Sequence, residues 1–293
     1  VRDPFTRHAR LDMQEIDETV HAAVRFLDNV IDVSQFPLPA QAEQARGSRR
    51  VGLGITGLAD ALMMLGIRYG SDESMELART VMRALCHGAY RASIAIAGEK
   101  GTFPFFDKDK YLDGLFSRSL PADIRDGIAR YGIRNSHLTA IAPTGTISLL
   151  ADNVSSGLEP VFDSDFTRRV LEFDGTYSEY RVVDYAVALW RAKGGVDTPL
   201  PPAFSDARHL APVVHLDMQA AIQSYVDQAI SKTVNVPVDY DFAAFRDLYR
   251  LAFDKGLKGC TTFRPNPVTG EILSGGRNGE TGPHCCSVER EAD

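Results

Sequence analysis

Arg134-Asn-Ser-His-Leu-Thr-Ala-Ile-Ala-Pro143-Thr-Gly-Thr-Ile-Ser148-Leu-Leu-Ala-Asp152 is the stretch whose reading decides the fold. Residues 138–142 are a short apolar run with the length of a buried strand. Pro143-Thr144-Gly145-Thr146 breaks that run, and a helical pattern follows over residues 146–152. Strand, tight turn and helix in that order are the repeating step of an α/β protein with parallel strand pairing. The first amides of a helix point outward without intrahelical acceptors and carry partial positive charge, so such a turn is an anion cradle. Gly145 allows close backbone approach, while Thr144, Thr146 and Ser148 add hydroxyl donors. The stretch has no lysine at the P-loop position, which excludes a Walker-type nucleotide site. An ordinary connection with a threonine cap fits the spacing equally well.

Working outward, the same alternation continues downstream. Residues 232–237 and 259–263 read as strands, with Asp241 capping a helix between them that ends at Gly256. Residues 177–192 and 215–230 are read as helices. Upstream the chain is helix-rich. Ile16, Val20, Val24, Leu27 and Ile31 repeat at helical spacing behind Asp12 and Glu15, which are placed as a capping pair. Residues 41–50 read as a polar connector, 53–66 as a glycine-punctuated helix, and 72–97 as a long helix with Gly98 and Gly101 as stops. A short helix is expected from Pro121. The expected class is α/β, with one domain over residues 1–266 and a flexible tail over 267–293, where Gly, Pro, Asn and charge dominate.

The 293-residue chain is long enough for a sizeable core, and 44% hydrophobic with 24% charged residues is a globular composition. A net charge of −7 excludes a general nucleic-acid-binding surface. No apolar run reaches membrane-spanning length and no signal-peptide core is present, so a cytoplasmic location is expected. The start at Val1 in a loop-like Arg-Asp-Pro reads as a piece of a longer chain. Cys86, Cys260, Cys285 and Cys286 form neither a disulfide framework nor a spaced zinc pair. Cys86 falls in a helical pattern as a small core residue. Adjacent Cys285 and Cys286 would be strained as an intramolecular bridge.

Gly52-Leu-Gly54-Ile-Thr-Gly57 matches the dinucleotide fingerprint only formally, because the residues before it are polar and the fingerprint needs a buried strand there. Helix packing on small residues is the expected use of these glycines. Glu159, between Leu158 and Pro160, reads as a loop charge or a catalytic carboxylate, with the loop charge favoured. His137 has no partner at metal-ligand spacing, and His209 and His215 are poorly spaced across Pro212.

Five segments stand here in an order found elsewhere: residues 49–60 (RRVGLGITGLAD), 140–148 (AIAPTGTIS), 153–161 (NVSSGLEPV), 230–235 (ISKTVN) and 258–264 (KGCTTFR). In this order the chain resembles the large chains of ribonucleotide reductases. The resemblance implies the second half of a ten-stranded α/β barrel made of two parallel halves. It implies that Pro143, Thr144, Gly145, Thr146, Ile147 and Ser148 hold the phosphates of a ribonucleoside di- or triphosphate, with Asn153, Gly157 and Glu159 near the substrate. The run Gly259-Cys260-Thr261-Thr262-Phe263 lacks the tyrosine pair of the radical-transfer class, and the tail lacks a radical-glycine motif. The segments look most like the adenosylcobalamin-dependent class, in which a cysteine thiyl takes the ribose 3′-hydrogen and a cysteine pair reduces the 2′-carbon.

The resemblance also implies what is missing. The radical cysteine, its neighbouring carboxylate, the reducing cysteines of the barrel and the allosteric segment would all lie before Val1. Catalysis would then belong to the full chain, with a thioredoxin-type or other dithiol as reductant and a homodimer as one assembly. The alternative is a truncated nucleotide-binding relative, or a split half needing an N-terminal partner chain.

Overall fold

The computed structural model describes residues 1–207, 209–264 and 273–275. Its first half is helical. Helix α1 (Met13–Val33) is capped by Asp12, whose side chain accepts the Glu15 amide. Its buried stripe, Val20 and Val24, packs with the long α4. Between them lie α2 (Pro39–Ser48) and α3 (Leu58–Met64). Helix α4 (Asp72–Lys100) starts at the Ser71 cap and buries Ala78, Met82, Leu85, Ala89 and Ile96. Each large side chain buried this way contributes about 1.5–3 kcal/mol. The helix runs through Gly98 and stops at Gly101, where φ is 81°. Helices α5 (Lys108–Asp113), α6 (Leu115–Ser119) and α7 (Ala122–Tyr131) lead to the opening stretch.

The second half contains α8 (Gly145–Leu150), β1 (Asp165–Leu171), β2 (Tyr177–Val183), α9 (Tyr185–Gly194), α10 (Pro212–Gln223), β3 (Thr233–Asn235), α11 (Phe242–Asp254), β4 (Thr261–Phe263) and β5 (Leu273–Gly275). Strands β3 and β4 pair in parallel. Parallel bridges join Leu53 to Thr139 and Ile141 to Ile230. Backbone bonds extend them, from the Leu53 amide to the Leu138 carbonyl, from the Ile141 amide to Ala229, and from the Ser231 amide to Ile141. Four extended segments therefore lie side by side in parallel: residues 51–54, 137–142, 228–236 and 261–263. The parallel expectation holds along this layer, although residues 138–142 form bridges rather than a regular strand.

Several expectations are corrected. Residues 41–50 lie largely in α2, because Ala, Gln, Glu and Arg favour helix and Pro39 stands at its first turn. Residues 53 and 54 belong to the extended layer, and the helix begins only at Leu58 after Gly57, where φ is 72°. A carbon added at Gly54 would sit 2.2 Å from the Ala140 carbonyl oxygen, so this glycine serves backbone approach between extended segments and not helix packing. Residues 177–183 are a strand, paired antiparallel with β1 around the Asp174-Gly175 turn. Strand β5 adds antiparallel to the other edge of β1, giving the order β2-β1-β5. It is the one described part of the expected tail; Cys285 and Cys286 lie outside the described residues. Among the described residues there are small sheets amid helices and no closed barrel, and no helix is long and apolar enough to cross a membrane.

A buried ion cluster fixes the start of the opening stretch. Asp28 is fully buried on α1. Its Oδ1 accepts from Arg49 Nε at 2.7 Å and from Asn135 Nδ2 at 3.0 Å, and its Oδ2 accepts from Arg134 Nε at 3.2 Å. Burial alone would push this carboxyl up, but Arg49 and Arg134 outweigh it and hold it below the ordinary 3.8. A depressed folded value means stability that is present above the unfolded value and lost as pH falls through the folded one. Asp28→Asn should therefore cost about 3 kcal/mol at pH 7, where it leaves the buried Arg49 with only the half-exposed Asp32 as its anion, at 2.8 Å. Urea melts should show the gap between variant and parent closing once pH drops below the folded value. A gap that is the same in acid would refute this account.

Candidate functional site

The turn ends one of the parallel segments and opens a six-residue helix. Thr144 lies in the left-handed region, with φ 54°, an uncommon place for a β-branched residue. Its Oγ1 accepts the Gly157 amide at 2.8 Å, which ties the turn to the following loop. Ser148 closes the first intrahelical bond, its amide donating to the Thr144 carbonyl at 2.9 Å. Gly145, Thr146 and Ile147 are then the amides that a helix start leaves without internal acceptors. The Ser148 hydroxyl donates to the Gly145 carbonyl at 3.0 Å and lies 3.1 Å from the Ser156 hydroxyl.

Loop 152–159 folds back under this turn. Asp152 and Asn153 both have positive φ, which Asp and Asn tolerate better than most residues. The Asn153 side-chain Nδ2 donates to the Val183 carbonyl at 2.9 Å. Gly157 has φ 51°, and a carbon added there would sit 2.9 Å from the Ala142 carbonyl oxygen. The buried Tyr69 hydroxyl donates to the Leu158 carbonyl at 2.6 Å.

Gly145, Ser148, Asn153, Ser156, Glu159, Asp184, Arg168 and Asn235 line one cavity. The structure therefore brings Gly145, Ser148, Asn153 and Glu159 together. Pro143, Thr144, Thr146, Ile147 and Gly157 shape the turn and loop but do not line that cavity, and Ile147 is exposed. The cavity lies beyond the carboxyl end of residues 137–142 and beside Asn235 at the carboxyl end of β3, the usual place for ligands in parallel sheets.

Glu159 is not a loose loop charge. Its Oε2 lies 2.5 Å from Lys232 Nζ and its Oε1 accepts the Thr233 amide at 2.7 Å. Lys232 is fully buried and also donates to the Thr233 carbonyl at 2.8 Å, with His215 Nδ1 2.8 Å away. The ammonium's three protons thus meet three acceptors, and with Nδ1 accepting, the ring hydrogen of His215 sits on Nε2. His137 is half-buried, with Nδ1 3.1 Å from the Ser136 hydroxyl; burial lowers its pKa and favours the neutral ring. No group of three described His, Cys, Asp or Glu side chains could hold a metal ion.

A second buried pair stands behind the cavity wall. Asp60 Oδ2 accepts the Ser155 amide at 2.6 Å and Oδ1 accepts the Ala186 amide at 3.1 Å. Asp184, 3% exposed, caps α9 by accepting the Val187 amide at 3.1 Å, one residue along from the Ala186 amide that Asp60 accepts. Burial pushes both carboxyls up, and the Asp60 charge drives Asp184 further still. Sequence reasoning missed Lys232, Asp60, Asp184 and Asn235. A readable signal existed for Asn235 alone, as a polar residue ending a strand-like run.

A family model for the ribonucleotide reductase barrel domain matches residues 3–263. The chain belongs to the ribonucleotide reductase family. Among its relatives, the vitamin B12-dependent ribonucleoside-diphosphate reductase of Mycobacterium tuberculosis is 38% identical over 283 residues, covering 90% of this chain and 38% of the relative. The enzyme of the same name in Thermoplasma acidophilum is 34% identical over 283 residues, covering 91% and 35%. The ribonucleoside-diphosphate reductase subunit alpha of Chlamydia pneumoniae is 27% identical over 302 residues, covering 90% and 29%. The chain thus spans between 29% and 38% of the length of these relatives, and those named for vitamin B12 match it at higher identity than the alpha subunit does.

Proposed function

We propose that this chain is the C-terminal part of the catalytic chain of an adenosylcobalamin-dependent ribonucleotide reductase, and that it holds the substrate's phosphates. In the intact enzyme the reaction would be reduction of ribonucleotides to 2′-deoxyribonucleotides. The observation that carries the reading is the turn at residues 143–148, whose Gly145 and Ser148 line one cavity with Ser156 and Asn235 at the ends of parallel segments. Gly145, Thr146 and Ile147 would offer amides, and Thr144, Thr146 and Ser148 hydroxyls, to a diphosphate; Pro143 would set the entry of the turn. Asn153, Gly157 and Glu159 shape the neighbouring wall, the last held by Lys232 so that it does not face the phosphates as an unneutralised charge.

This chain would supply the second half of a ten-stranded barrel, with the first half bringing the radical machinery. Its described cysteines fit a bystander role. Burial pushes the Cys86 thiol up to about 12 and also raises Cys260, so neither is poised as a thiolate. Adenosylcobalamin would supply the initiating radical when bound. The amides and hydroxyls of the turn and loop, with Arg168 across the cavity, are donors for a sugar phosphate, and no residue here is assigned to the cofactor. A dithiol reductant of the thioredoxin type and a homodimeric assembly complete the proposal.

The test is Gly145→Val in the intact reductase, read by equilibrium binding of cytidine diphosphate. A branched side chain at the first turn should weaken binding about 10- to 100-fold, the worth of one or two charge-assisted hydrogen bonds. Unchanged affinity would remove the turn from the substrate site.

A further inference from the structure

Arg168 lines the cavity from β1, the one cation among the described residues that do. No described carboxylate pairs with it, whereas its charged neighbours are engaged. Arg181 and Arg191 hold Asp165 at 2.8 and 3.5 Å, and Lys232 holds Glu159. The other cavity acids are turned to their own segments: Asp163 Oδ1 accepts the Ser164 amide at 2.6 Å, and Asp184 accepts the Val187 amide at 3.1 Å. Strand periodicity sets the division of labour. Phe166 and Arg168 stand two apart on the cavity face of β1, while Asp165 and Thr167 stand on the reverse face. There Thr167 is in register with Arg181, which brings that guanidinium to Asp165. The backbone under Arg168 is held from both sides, opposite Tyr180 of β2 and Leu273 of β5. Phe166, 9% exposed, packs edge-on against Phe162 at 5.1 Å and fixes the cavity face of the strand.

A nucleoside diphosphate brings several negative charges into this space. The amides and hydroxyls of the turn are neutral donors, which orient phosphate oxygens but cancel no charge. An anion drawn out of water without a counter-charge is costly, so the site needs a cation. We propose that Arg168 is the specificity-determining residue of this site, its guanidinium pairing with two oxygens of the terminal phosphate while the turn holds the inner one. The inference rests on the phosphate-site reading and gives the end of the phosphate chain its partner. A guanidinium offers a rigid planar fork that matches two phosphate oxygens, which a lysine ammonium does not. Carried on a different element from Gly145 and Ser148, it makes the far end of the chain the part that is recognised. A monophosphate would meet the turn alone.

The experiment is equilibrium binding of cytidine diphosphate, cytidine monophosphate and cytidine to the intact reductase, as parent and as Arg168→Gln. Glutamine keeps a polar side chain and removes the charge. Affinity for the diphosphate should fall about 10- to 100-fold, the worth of a charge-assisted pair. The monophosphate should stay within about twofold of its parent value. Arg168→Lys keeps the charge without the fork and should recover part of the loss. Diphosphate binding should also become less sensitive to salt in Arg168→Gln. Unchanged diphosphate affinity in Arg168→Gln overturns the proposal, and so does an equal loss for both nucleotides, which a merely structural role would give. A measurement on the unsubstituted enzyme needs no variant to fold. Cytidine diphosphate should shield Arg168 from an arginine-selective dicarbonyl reagent, read by peptide mass, and cytidine should not. Equal rates of modification with and without the diphosphate also overturn the proposal. Gly145→Val separates the two readings. If it loses both nucleotides while Arg168→Gln binds normally, the failure is confined to Arg168; if it binds normally, the phosphate-site reading has failed.

Discussion

Replacing Lys232 with methionine should cost about 3–5 kcal/mol of stability, the usual consequence of removing one partner from a buried ion pair. The lysine side chain is 0% exposed and its partner Glu159 14%. Methionine fills the stem's volume but leaves Glu159 with only the Thr233 amide, and the Thr233 carbonyl and His215 Nδ1 without this donor. The cost would fall on β3 and on residues 157–161 together, since the pair joins them over 73 positions of sequence. Chemical denaturation of the parent, Lys232→Met, Glu159→Leu and the double variant separates the terms. The double variant should recover much of the loss, because no unpaired charge is then buried. A single variant within about 1 kcal/mol of the parent would show the pair to be dispensable.

Gly54→Val should be comparably severe, about 3 kcal/mol or more, and for a different reason. The added carbon would lie 2.2 Å from the Ala140 carbonyl oxygen and 3.5 Å from the Ile141 Cα, both backbone of the neighbouring parallel segment. A backbone carbonyl cannot turn aside as a side chain can, so the two segments must part. The Ala140 amide bond to the Leu53 carbonyl, 3.0 Å, and the Leu53 amide bond to Leu138, 2.8 Å, go with them. Residue 140 leads straight into the turn at 143, so cytidine diphosphate affinity should fall along with stability. Gly98→Ala is the control: nothing lies within 4 Å of the added carbon, and alanine inside α4 should be neutral or favourable by up to about 1 kcal/mol. Equal melting midpoints for Gly54→Val and its parent would sink the argument.

Local chemistry made some elements legible and hid others. Helices α1 and α11 announce themselves by an acid cap and an apolar stripe, and the structure has both caps, Asp12 on Glu15 and Asp241 on Ala244. Residues 177–183 were misread because Tyr177, Tyr180 and Val183 fall at helical spacing as well as on a strand. The Asp174-Gly175 pair before them is the hairpin signal that marks a strand. Residues 41–50 looked like a connector because their helix carries no apolar stripe; composition and Pro39 were the available clues. At the site, Gly145 and Ser148 were readable because a turn's chemistry is local. Lys232 on Glu159 and Asp60 on the Ser155 and Ala186 amides were not, because each pairing joins residues far apart along the chain and no spacing rule spans that distance.

The left-handed residues around the cavity have a consequence for portability. Thr144, Asp152, Asn153 and Gly157 all hold φ between 51° and 61°. Outside glycine such conformations cost on the order of 1–3 kcal/mol each. The contacts that hold them come from elsewhere: the Val183 carbonyl on Asn153, Asp60 on Ser155, and Tyr69 on Leu158. A peptide of residues 143–157 would relax out of this shape, and so would the same residues grafted onto a foreign strand and helix. The shape of this turn and loop is a property of the assembled fold, and its motif travels between proteins only in the company of the residues that restrain it.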